Sequence, residues 1–172
     1  MVVSRFGSDR QFMEKVSYKT QTAFGKNPEK AVMGDYPTLN DINAAYGKGF
    51  AVEWLISHVT NLSLYTNAKN MDVNQIAEVS DVLAAEYKHL KITELLLFFF
   101  WFKSGRYGRF YGSVDPMVIT CAMKDFVEER NAIIDRCEQK RREAEAEKGK
   151  VGAVSYEEWK KEKETTNNSL SL

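Results

Sequence analysis

Leu95-Leu96-Leu97-Phe98-Phe99-Phe100-Trp101-Phe102 is the stretch on which the fold turns. It is apolar on every position for more than two helical turns. A helix without a polar face has to be covered on all sides, so these residues predict the central helix of a bundle. Thr93 is the expected cap, Glu94 sits in the first turn, and Gly105 supplies the stop. Eight apolar residues fall far short of the roughly 18 that a membrane span needs. No membrane partner is expected, and a cytoplasmic location follows as the expectation, since residues 1–30 hold no apolar leader-like run either.

Working outward, the flanking segments keep helical periods. Ala51, Leu55, His58, Leu62 and Tyr65 recur at steps of four and three, predicting a helix from Phe50 to Tyr65. Ile76, Val79, Leu83, Tyr87 and Leu90 form a second stripe behind Asp72, a natural N-cap. Thr38 with Asp41 three residues on predicts a short helix from Leu39 to Tyr46. Asp115-Pro116 starts the last one, whose stripe of Ile119, Ala122, Phe126, Ile133 and Cys137 is interrupted by Arg130. Residues 138–148 read as a solvated extension held by pairs such as Glu138 with Arg142, ended by Gly149. The expected architecture is all-α: a single bundle of about five helices over residues 38–148. Residues 1–37 are expected as an N-terminal arm and loop with a short helix near Gln11 to Tyr18, and residues 149–172 as a disordered tail.

The chain has 172 residues, 44% of them apolar, which suffices for a core. Its 24 basic and 24 acidic groups cancel, against a polybasic binder. The balance hides segregation, however. Residues 31–87 carry seven acids and two bases, whereas residues 88–114 carry Lys88, Lys91, Lys103, Arg106 and Arg109 against Glu94 alone.

Chemistry-bearing sets are sparse. His58 and His89 lie on different predicted helices, and His58 falls in an apolar stripe, where a hydrogen-bonded core histidine is the expectation. Cys121 and Cys137 would stand about 24 Å apart along one helix, too far to bridge or share a metal. No nucleophile elbow or phosphate loop occurs. The carboxylates of the last helix alternate with Lys and Arg, as on a solvated face, and Glu94 is read as stabilising its own helix start. No catalytic residue, metal or cofactor is expected.

Two segments remain. Residues 98–112 hold eight aromatics, and from Lys103 onward interleave Arg106, Tyr107, Arg109, Phe110 and Tyr111 with glycines. Cations beside ring faces on a Gly-punctuated loop suit phosphates and unpaired bases. Lys103, Arg106, Tyr107, Arg109, Phe110 and Tyr111 are therefore the candidate nucleic-acid contacts, the alternative being that the rings close the bundle end. Tyr156 and Trp159, three apart on a polar tail behind a Ser155/Glu158 capping pair, are the candidate contacts for a protein partner.

The strings Tyr-Pro-Thr-Leu-Asn-Asp-Ile, Lys-Ile-Thr-Glu-Leu, Phe-Lys-Ser-Gly-Arg-Tyr-Gly-Arg-Phe-Tyr-Gly-Ser-Val-Asp-Pro and Phe-Val-Glu-Glu-Arg carry a likeness. Over about residues 37–129 the chain resembles small helical accessory proteins of phages and mobile elements. The resemblance implies a replication or DNA-handling role, such as a helicase-loader-like adaptor, or else a virion or assembly component. The expected function is a non-enzymatic adaptor for nucleic acid or a replication machine. The alternative is a structural protein acting through self-association, the acidic segment of one copy meeting the basic segment of another, or through a protein partner.

Overall fold

The computed structural model describes residues 2–65, 71–108, 116–152 and 159–161, and among these the secondary structure is helical throughout, with no strand. The order is α1 (Val2–Phe6), α2 (Asp9–Lys15), a 3-10 turn at Tyr18–Thr20, α3 (Gln21–Gly25), α4 (Pro28–Met33), α5 (Leu39–Tyr46), α6 (Phe50–Tyr65), α7 (Val73–Glu86), α8 (Ile92–Lys103) and α9 (Pro116–Gly152). The all-α expectation holds. The chain divides into two compact units, Met1–Ile134 and Asp135–Leu172.

Within the first unit α8 is the hub. Every residue from Ile92 to Phe99 is buried, as are Trp101 and Phe102. α3, α4 and α6 pack on it, and from α9 Phe126 sets its ring edge-on to Phe98 and Trp101, with centroids 5.6 and 5.8 Å apart. Burying so large an apolar area is the main force holding the unit together.

Cap chemistry places the helix starts. Thr38 Oγ1 accepts from Asp41 N at 3.2 Å while Asp41 Oδ2 accepts from Thr38 N at 2.8 Å, opening α5. Asp72 and Gln75 do the same for α7. α8 starts earlier than expected, at Ile92, because Glu94 Oε2 accepts from Lys91 N at 2.8 Å. The Thr93 hydroxyl, expected as the cap, instead donates to Ala31 O of α4.

In residues 1–37, the expected arm and loop, the short helix expected near Gln11 to Tyr18 is found as α2 at Asp9–Lys15. Phe6, Phe12, Val16, Ala31 and Val32 are buried, and the four short helices α1 to α4 belong to the first unit. Tertiary burial, not periodicity, orders helices of only five to seven residues. α9 opens on Pro116 as expected; its expected cap Asp115 lies outside the described residues. The helix passes through Gly149 to Gly152, since one glycine costs only about 1 kcal/mol. In the second unit Arg142 meets Glu138 at 3.5 Å and Arg141 meets Glu145 at 3.8 Å, one turn apart. The rest of the expected disordered tail, residues 153–158 and 162–172, lies outside the described residues, and 159–161 are helical.

Candidate functional site

The C-terminal end of α8 gathers the described half of the basic–aromatic segment. Gly105 takes φ +80°, in the left-handed region, so its N–H reaches Phe102 O at 3.0 Å and Arg106 N reaches Trp101 O at 3.1 Å. This paired closure ends the helix and turns the chain back over its last turn. Arg106 consequently lies on Trp101, its guanidinium carbon 4.0 Å from the ring centroid. Arg106 Nη2 also stands 2.6 Å from Glu129 Oε2 of α9 as an ion pair.

Tyr107 turns inward. Its ring centroid is 5.8 Å from that of Phe98 and 6.2 Å from that of Phe102. Its hydroxyl is buried with no hydrogen-bond partner among the described residues, and desolvation, then the Glu129 charge, push its pKa up.

Lys103 is engaged from the other side. Nζ donates to Gln21 Oε1 at 2.8 Å and to Asn61 Oδ1, and stands 5.5 Å over the Tyr65 ring. Burial brings its pKa down to about 8. The ammonium has only protons to offer, so Gln21 must turn its oxygen to Lys103 and its amide nitrogen to His58 Nδ1, 2.8 Å away. His58 therefore carries its proton on Nε2, which faces Val16 O at 3.3 Å. The result is one directional chain, Lys103 to Gln21 to His58 to Val16, with Gln21 and His58 buried. Desolvation lowers the His58 pKa to about 4, with the Lys103 charge adding to the effect and the Val16 bond opposing it. His58 is thus the hydrogen-bonded core histidine its stripe implied.

Of the six residues expected at nucleic acid, Lys103 ends α8 and Arg106 and Tyr107 lie in the turn after it, each held by separate internal contacts. Arg109, Phe110 and Tyr111 lie outside the described residues, as does Tyr156. Trp159 is 46% exposed. Gln21, Asn61 and Glu129 were missed as partners. Nothing local marks Gln21 or Asn61, but Arg130, breaking an apolar stripe, does signal a buried acid: its Nε meets Glu94 Oε1 at 2.7 Å. No group of three His, Cys, Asp or Glu side chains suited to a metal occurs among the described residues, and among them no helix is long and apolar enough to cross a membrane.

A family model described as a family of unknown function (DUF6633) matches residues 70–169, which includes α7, α8 and α9. No curated protein and no solved structure matches the chain.

Proposed function

This chain belongs to a family of unknown function (DUF6633), and we propose that it is a non-enzymatic helical adaptor acting on nucleic acid or a nucleoprotein machine, in the manner of a helicase loader. The observation that carries this reading is the anchored turn at the end of α8. Trp101 and Glu129 hold Arg106, and Phe98 and Phe102 hold Tyr107, so a basic–aromatic run leaves from a braced base. Arg109, Phe110 and Tyr111 are then the contacts, Arg109 for phosphate and the rings for unpaired bases.

Salt titrations of single-stranded and duplex DNA binding test it. Arg109→Ala is expected to lower the magnitude of the salt slope by about 1, whereas Arg106→Ala, whose charge is paired with Glu129, leaves the slope near wild type and lowers stability. No binding at low salt overturns the reading.

A second reading, self-association, is favoured by α7, which holds Glu78, Asp81 and Glu86, no basic residue, and an exposed Val82.

A further inference from the structure

The outward face of α7 lines a groove of about 510 Å³ whose other wall is the start of α9. Glu78 and Glu86 rim it on the α7 side and Lys124 on the α9 side. Between them apolar side chains stand open to water: Val82 is 51% exposed and Met117 70%. Exposed apolar surface with an acidic rim suits a partner helix that offers aromatic anchors and cations on one face.

The chain itself contains such a face. Tyr156, Trp159, Lys160 and Lys163 follow steps of three, one and three, the spacing of a single helical face, while Glu157, Glu158 and Glu162 fall on the opposite one together with Lys161. Residues 159–161 are helical. Segregation of charge matters here, because the segment as a whole carries as many acids as bases and only its aromatic face is basic.

We infer that residues 156–163 of one copy seat in the α7–α9 groove of a second copy, with Tyr156 and Trp159 on Val82 and Met117 and with the basic end, Lys160 to Lys163, against the acidic α7 side of the groove. Given in both directions, the exchange closes a two-fold dimer with two identical seats. The inference rests on the self-association reading and names its surface. The basic segment 88–114, the partner first expected for the acidic one, is less suited, because Lys91, Lys103 and Arg106 are held by contacts inside the chain.

Sedimentation of the full chain over a wide concentration range is the test. Wild type is expected to dimerise, with Trp159→Ala and Val82→Lys each weakening the dimer about tenfold or more. Val82 is exposed, so the circular dichroism and melting transition of Val82→Lys should match wild type. Mixing the two variants is diagnostic: each supplies what the other lacks, one anchor and one open groove, so the mixture should associate more strongly than either alone. Lys160→Glu/Lys163→Glu should weaken the dimer, and adding Glu78→Lys/Glu86→Lys should restore it. A wild-type chain that stays monomeric overturns both the inference and the self-association reading. A dimer indifferent to these variants overturns the inference alone.

Discussion

At the scale of single residues, the approach of α3 to the hub depends on an absent methyl group. A Cβ built on Gly25 would stand 2.1 Å from Cδ1 of Phe100, the one residue of α8 between Ile92 and Phe102 that is not buried. Gly25→Ala must therefore push α3 away or force Phe100 off its rotamer, at a cost of about 1–3 kcal/mol. Urea midpoints would read the loss. Phe100→Ala removes the obstacle, so the double variant should lose less than the sum of the two single ones. A neutral Gly25→Ala would show that the contact yields freely. Nothing in Phe24-Gly25-Lys26 announces this packing, because a glycine in a short polar segment reads as a turn. His58 was legible from its stripe, but its partners Gln21 and Val16 are 37 and 42 residues away, and only folding brings them together.

At the scale of elements, the link between α8 and α9 is a buried ion pair with unequal partners. The Glu94 side chain has no exposure, whereas that of Arg130 retains 20%. Arg130→Met strands a carboxylate in the core, a loss of about 3 kcal/mol or more, while Glu94→Gln leaves a cation that still reaches water and should cost less. Combining the two should recover part of the Arg130→Met loss. Thermal or urea unfolding checks the order, and an Arg130→Met no worse than Glu94→Gln would contradict it. The same elements show what was legible. The starts of α5 and α7 were readable because capping pairs are local chemistry, and α8 because an all-apolar helix has one place to go. α1, α3 and α4 were not, since fewer than two turns cannot establish a period, and α2 was legible only as a short helix near Gln11 to Tyr18. For the site, the residue types at the end of α8 were legible. The inward direction of Lys103 and Tyr107 was not, because it depends on Gln21, Asn61 and Phe98 across the fold.

At the scale of the whole molecule, the polar chain Lys103–Gln21–His58–Val16 joins α8, α3, α6 and the end of α2, so protonating any member is felt as global stability. His58 titrates at about 4 in the folded protein against 6.5 ordinarily. Between those values the unfolded chain binds a proton that the folded one refuses, so stability is complete above about pH 6.5 and drains away as pH falls toward 4. The shift sets the size at up to about 3 kcal/mol. Lys103 acts with the same sign on the alkaline side: at about 8 against 10.5, it lets stability climb as pH rises above 8. The two windows do not overlap, and this separates their origins. Unfolding free energies measured from pH 7 down to 4.5 should fall more steeply in wild type than in His58→Gln, which has no ring to protonate, each referred to its own value at pH 7. Above pH 8 the two should climb together. Parallel acid limbs would mean that other groups, and not the buried imidazole, govern acid unfolding.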